Sequence, residues 1–245
     1  MNRLLALSIL VACTGVTAAF ARVNKATITG RVVITKVLTK ERVTLPVYQL
    51  RGVSPGPQEP ENHKRGAPGA GELSRVVIYL EGPGLKRGAP VNAALTQKNR
   101  QFDPEIVVVP VGSTVSFPNE DPIFHNVFSL SKAKQFDLGY YPKGQTRVVR
   151  FDRPGVVQVY CHIHADMSAA ILVLSTAWWA RPTQEGSFSL KDVPPGNYEL
   201  VAWHRSAGFF RQRVTVSGGE TLKVDFMIPV EQPGSGAALA ARSGR

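Results

Sequence analysis

The chain has 245 residues, 43% of them apolar, and a formal net charge of +11, enough for one large domain or two small ones around real cores. Its basic residues, among them Arg31, Lys64, Lys98, Lys143 and Arg205, are scattered, with no long basic run and no basic stretch interleaved with aromatics. The charge therefore reads as a solvated surface and excludes a nucleic-acid partner.

The N-terminus opens with Asn2-Arg3, an apolar stretch from Leu4 to Ala12, and a small-x-small site at Ala19-Phe20-Ala21. This pattern predicts a signal peptide over residues 1–21 and export to the periplasm of a bacterium or beyond it. The stretch is far short of the ~20 apolar residues that a membrane span needs, so no transmembrane span is expected. Leu10-Val11-Ala12-Cys13 resembles a lipoprotein box, and cleavage before Cys13 would instead leave a lipid anchor.

The rest predicts an all-β chain. Short β-branched runs recur between Gly, Pro, Asn and Asp: Thr27–Val33, Arg75–Leu80, Glu105–Val109, Ser113–Phe117, Gln145–Phe151, Gly155–Tyr160, Ala169–Leu174, Tyr198–His204, Gln212–Val216 and Thr221–Met227. No long stretch keeps a helical period, and this density of strands points to β-sandwiches. Residues 52–71, rich in Pro and Gly, read as a loose loop, and residues 231–245 as a disordered tail. A second rhythm, Ser187-Phe188-Ser189-Leu190 and then Val193-Pro194-Pro195-Gly196-Asn197-Tyr198, begins after Trp178-Trp179. A domain boundary is therefore expected near residues 175–180. The two tryptophans are expected at the junction.

The chemistry concentrates in Cys161-His162-Ile163-His164-Ala165-Asp166-Met167, which follows the apolar run Val156–Tyr160. If the signal is cleaved after Ala21, Cys161 is the only cysteine left. Exported proteins use cysteines mostly in disulfide pairs, so a lone thiol points to a metal bond or to an inert buried residue. The spacing Cys-x2-His-x2-Met supplies a thiolate, an imidazole and a thioether. A blue-copper site needs one Cys, two His and a weak axial Met. Upstream, His125 follows the strand Ser113–Phe117 in an apolar setting of Ile123, Phe124 and Val127, and completes the set. Asn126, directly after it, is positioned to pin the cysteine loop. A zinc site of Cys and His would leave Met167 unused. His162 is expected to point away from the metal, as a structural or electron-exit residue. His204 reads as a sandwich-edge histidine, and His63 as solvated.

Phe117-Pro118-Asn119, His125-Asn126-Val127, Pro154-Gly155 and Tyr160-Cys161, with the four ligands in order, resemble plastocyanin- and azurin-type cupredoxins. The short ligand loop is similar to that of amicyanin. The resemblance implies a Greek-key β-sandwich holding one type 1 copper through His125, Cys161, His164 and Met167. Phe188 and Val193-Pro194-Pro195-Gly196-Asn197-Tyr198 resemble the carboxypeptidase-regulatory-like domain, a transthyretin-like β-sandwich. Ala26–Val32 and Val76–Leu80 resemble its early strands, so the resemblance implies one sandwich over 93–175 inserted into a second built from 22–92 and 176–230. The whole chain resembles exported proteins labelled methylamine utilisation proteins, which combine these two domains.

The expected function is single-electron transfer with a redox protein such as a cytochrome or an oxidoreductase. The alternative is copper binding or envelope interaction without redox turnover. Tyr160 stands where a multicopper oxidase would carry a second flanking histidine, and a binuclear copper A centre needs two cysteines. The chain is thus not expected to be an enzyme.

Overall fold

Ala169-Ala170-Ile171-Leu172-Val173-Leu174 is an unbroken apolar run. A strand with one wet face alternates polar and apolar residues, so a run of this kind belongs to a strand covered on both sides. The computed structural model, which describes residues 24–35 and 70–228, bears this out: all six residues are buried.

In chain order, β1 (Ala26–Ile34), a four-residue helix α1 (Ala70–Leu73) and β2 (Val76–Glu81) come first. Ten strands follow: β3 (Asn92–Ala94), β4 (Thr96–Lys98), β5 (Gln101–Asp103), β6 (Ile106–Pro110), β7 (Ser113–Pro118), β8 (His125–Ser131), β9 (Lys134–Tyr141), β10 (Thr146–Phe151), β11 (Gly155–Tyr160) and β12 (Ser168–Leu174). The last six are β13 (Trp179–Ala180), β14 (Ser187–Val193), β15 (Gly196–His204), β16 (Gly208–Val216), β17 (Thr221–Lys223) and β18 (Phe226–Ile228).

The middle strands make two sheets, β6-β12-β11-β8-β9 and β10-β7-β3, with the hairpin β4-β5 beside them. Between these sheets lie Val109, Val115, Phe117, Val127, Phe151, Val157, Val159, Ile171 and Val173. The outer strands make two more sheets, β13-β2-β15-β16 and β14-β1-β17, with β18 also paired to β1. Ile28, Ile78, Leu80, Leu190, Leu200, Ala202 and Phe226 fill that second core. The chain is all-β, two sandwiches, and the strands of the second come from both sides of the first in sequence.

A third cluster joins them: Val77 and Tyr79 of β2, Val201 and Trp203 of β15, and Ile106, Ala170, Leu172 and Leu174 of β6 and β12. The strand period of two accounts for it. Along β12, Ala169, Ile171 and Val173 face the first core, while Ala170, Leu172 and Leu174 face the junction. Along β2, Val76, Ile78 and Leu80 face the second core, and Val77 and Tyr79 the junction. Each large side chain buried there contributes about 1.5–3 kcal/mol.

Two glycines show how tightly the second sandwich closes. A Cβ on Gly30 would lie 1.7 Å from the carbonyl oxygen of Val224, where β1 passes the segment linking β17 to β18. A Cβ on Gly196 would meet the Tyr198 hydroxyl at 2.6 Å. That hydroxyl donates to the carbonyls of Pro194 and Pro195 at 3.1 and 3.3 Å, so the Pro-Pro-Gly-x-Tyr motif is a turn tied by its own tyrosine.

Several expectations need correction. The run Thr221–Met227 is two short strands, because β1 pairs with β17 and then with β18 along its length. Strands β8 and β9 form a hairpin that the β-branched pattern missed, since Asn126, Ser129, Lys134, Gln135 and Asp137 dilute it. Ala70 and Gly71, assigned to the loose loop, open α1; the rest of that loop, with His63, the signal segment, Cys13 and the tail, lies outside the described residues. Trp203, not the Trp178-Trp179 pair, packs the junction. Trp178 sits against the second core and donates its Nε1–H to the Lys191 carbonyl, and Trp179 is partly exposed. Among the described residues no helix is long and apolar enough to cross a membrane.

Candidate metal centre

β11 and β12 are antiparallel neighbours paired from Gly155↔Val173 to Tyr160↔Ser168, so the seven-residue loop 161–167 between them must turn tightly. Two backbone bonds close it. The Cys161 N–H donates to the Met167 carbonyl at 3.3 Å, and the Met167 N–H to the His164 carbonyl at 3.0 Å. Cys161 and Met167 are thereby both buried in the first core. β8 lies on the other side of β11 and begins at His125, so His125 reaches the same end of the sandwich.

The donor atoms converge. His125 Nδ1 and His164 Nδ1 are 3.1 Å apart, and the Cys161 Sγ lies 3.9 Å from the first and 3.6 Å from the second. Among the described residues this is the group of His, Cys, Asp or Glu side chains able to hold a metal ion, with all ligand atoms within 4.8 Å of one another. His125 is fully buried, Cys161 is buried and His164 is partly exposed. One thiol sulfur and two imidazole nitrogens sharing so small a volume suit a single soft or borderline ion. A metal-free chain would instead need a proton between the two facing nitrogens. Burial and the neighbouring His125 and Arg100 hold the His164 imidazole below its ordinary pKa, against a smaller opposing pull from Asp121, which keeps a lone pair available.

The loop before β8 orients His125. Asp121 Oδ2 is 2.8 Å from His125 Nε2, so the ring donates outward to a buried carboxylate and turns Nδ1 toward the sulfur. The same carboxylate accepts the backbone N–H of Asn99 at 2.6 Å and of Arg100 at 2.8 Å. Burial alone would push the Asp121 carboxyl up, but these two N–H groups and His125 hold it below its ordinary value. Asn119 ties the loop: its amide donates to the carbonyls of Ile123 and Tyr141, and its Oδ1 accepts the Asp121 N–H. Asp121 was missed in the sequence because nothing in composition separates it from a turn aspartate. The signal was its place four residues before a candidate ligand, next to Pro122.

Of the sequence-predicted residues, His125, Cys161 and His164 come together, and Met167 is buried at the end of the same loop. The Asn126 side chain makes no hydrogen bond to the cysteine loop. Its Nδ2 donates to Asp137 Oδ1 on β9 at 2.7 Å, and its buried Oδ1 has no partner. The β8-β9 hairpin turns the amide toward its own partner strand, and the link to the loop runs through Asp137, whose other oxygen is 3.5 Å from His162 Nε2. His162 points away from the donors and stacks on Phe128, with rings 3.9 Å apart and 8° from parallel. His204, expected at a sandwich edge, is fully buried at the end of β15, between β2 and β16. Its Nε2 is 2.8 Å from Glu72 Oε2, and its Nδ1 accepts the N–H groups of Ser206 and Ala207.

A family model described as polysaccharide lyase family 4, domain II, matches residues 172–224, from the end of β12 to β17. It covers much of the part whose motifs resemble the carboxypeptidase-regulatory-like domain. No curated protein matches the chain. Solved structures similar to part of it include a novel purple cupredoxin from Nitrosopumilus maritimus, 23% identical, covering 34% of this chain and 99% of that one with a TM-score of 0.31. A copper-containing nitrite reductase from Thermus scotoductus SA-01 is 25% identical over 38% of this chain, with a TM-score of 0.33, and the match spans 25% of the reductase. A copper(I) form of an amicyanin mutant is 17% identical over 39% of this chain and 99% of that one, with a TM-score of 0.32.

Proposed function

We propose that the chain is an exported carrier of single electrons that binds one type 1 copper ion through His125, Cys161, His164 and Met167. The observation that carries this reading is the convergence of a buried thiol and two imidazole nitrogens at the end of one sandwich, with a buried methionine closing the same loop. Copper bound by such a set supplies one-electron exchange between its two oxidation states.

The residues supply the rest. Cys161 and His125 give the strong donors, held by the β11-β12 turn and by the start of β8. Met167 offers a weak fourth donor from inside the core, where water does not compete. If Met167 took a fourth position on the ion, no open position would be left for a substrate, which favours electron transfer over catalysis. Phe124 and Ile163, one residue from His125 and His164, are both more than half exposed, a small apolar face suited to brief docking of a cytochrome or another oxidoreductase. The N-terminal signal pattern favours the periplasm or the exterior.

The test is the optical and paramagnetic resonance spectrum of purified, copper-loaded, oxidised protein, followed by voltammetry. The expected result is an intense visible band with a reversible one-electron potential. A colourless copper-loaded protein would falsify the type 1 assignment. Colour without a reversible potential would leave copper binding and remove electron transfer.

A further inference from the structure

The outer nitrogen of His125 meets a buried carboxylate that is itself fully engaged. Asp121 is 6% exposed and receives three N–H groups: His125 Nε2 at 2.8 Å, Arg100 at 2.8 Å and Asn99 at 2.6 Å. The last two come from the turn of the β4-β5 hairpin, where Asn99 and Arg100 hold φ values of 55° and 57°. A two-residue turn with both φ values positive is the tight hairpin type, which presents successive N–H groups outward. The hairpin therefore grips Asp121, and Asp121 grips the ligand ring.

We propose that Asp121 is a positioning residue that fixes His125 as an Nδ1 donor and biases the centre toward oxidised copper. This rests on the copper reading above. Two physical effects act in the same direction. Accepting the Nε2–H makes the imidazole a stronger donor through Nδ1. A fixed negative charge one ring away, in a site with little water to screen it, favours the metal state with the higher charge. Both stabilise copper(II) more than copper(I), so Asp121 strengthens copper(II) binding and lowers the reduction potential. The β4-β5 hairpin, which contributes no ligand, becomes part of the metal site through two backbone N–H groups.

The test compares the full mature chain with Asp121→Asn, which keeps the shape and removes the charge. Chelator competition measures the affinities for copper(II) and copper(I), and voltammetry measures the potential. Copper(II) affinity is expected to fall about 10–100-fold, the range for loss of a partner of this kind. Copper(I) affinity falls less, and the potential rises by about 59 mV for each tenfold difference between the two losses. Asp121→Asn protein with both affinities and the potential within twofold and a few millivolts of the parent overturns the proposal. If the variant does not fold, nitrogen NMR of the unsubstituted protein decides. Metal-free His125 is expected as the Nε2–H tautomer, with that proton protected from solvent exchange. An Nδ1–H tautomer, or a freely exchanging Nε2–H, overturns it. This last measurement needs no copper, so a parent protein that fails to bind copper removes the functional reading while the Asp121–His125 bond is still judged separately.

Discussion

Among the described residues two histidines are completely buried, and each has a buried carboxylate 2.8 Å from its Nε2. His125 with Asp121 and His204 with Glu72 look interchangeable from that side. They differ at Nδ1. In His204 it accepts the Ser206 and Ala207 N–H groups, so every polar atom of the ring is used within the protein. In His125 it faces a sulfur and another imidazole nitrogen. A histidine braced at both nitrogens holds the fold, and one braced at a single nitrogen is available to a metal. The carboxylate alone does not distinguish the two.

Exchanging the roles of the two residues tests this directly. His125→Ala or Cys161→Ser should abolish the intense visible absorption of the copper-loaded protein, read by titration with copper(II). His204→Ala should leave that spectrum unchanged and destabilise the fold by about 1.5–3 kcal/mol, since it removes a buried hydrogen bond to the Glu72 carboxylate; urea unfolding measures this. A His204 variant that lost the colour would break the distinction.

A smaller effect follows from pH. Burial, with Arg75 assisting, holds His204 below its ordinary pKa although Glu72 pulls the other way. The folded state thus binds fewer protons at this ring than the unfolded chain, whose histidines titrate near about 6.5. Its contribution to stability is complete above that pH and is lost as the pH falls below it. The urea midpoint should drop between neutral pH and pH about 5, and His204→Gln should flatten that part of the curve. Met167→Leu should keep the colour and raise the potential, by voltammetry, because a weak sulfur donor is replaced by none. The smallest expected effect is that of Ser168→Ala. It removes one hydrogen bond, 3.0 Å from Arg205 Nη2, and should cost about 0.5–1.5 kcal/mol while leaving the ligands in place.

The donor set was legible because its chemistry is local. Cys161, His164 and Met167 fall on one short turn, and their element types leave few uses for the group. His125 could be added because it is the histidine that follows a strand upstream. Asp121 and the hairpin turn at Asn99-Arg100 were not legible, since their roles depend on backbone N–H groups that composition does not reveal. The fold divides in the same way. Runs such as Ala169–Leu174 and Val76–Leu80 announce strands, and their lack of alternation announces burial on both faces. The β8-β9 hairpin carries polar residues facing solvent and one another, so its pattern is weak. Glu72 and His204 lie 132 positions apart. No local signal could have paired them.

The pairing of β1 bears on how the molecule is assembled. The Arg31 N–H donates to Asp225, 194 positions later, and β1 runs parallel to β17 and β18. A sheet of that kind cannot close until the chain has been made as far as β18, and contacts so distant in sequence form slowly. The strands from β3 to β12 need nothing from outside residues 92–174 to pair with one another. In a chain that emerges N-terminus first, the ligand sandwich can therefore assemble while β1 still waits. The second sandwich then closes beside the first, with Trp203 and Leu172 in the cluster that joins the two.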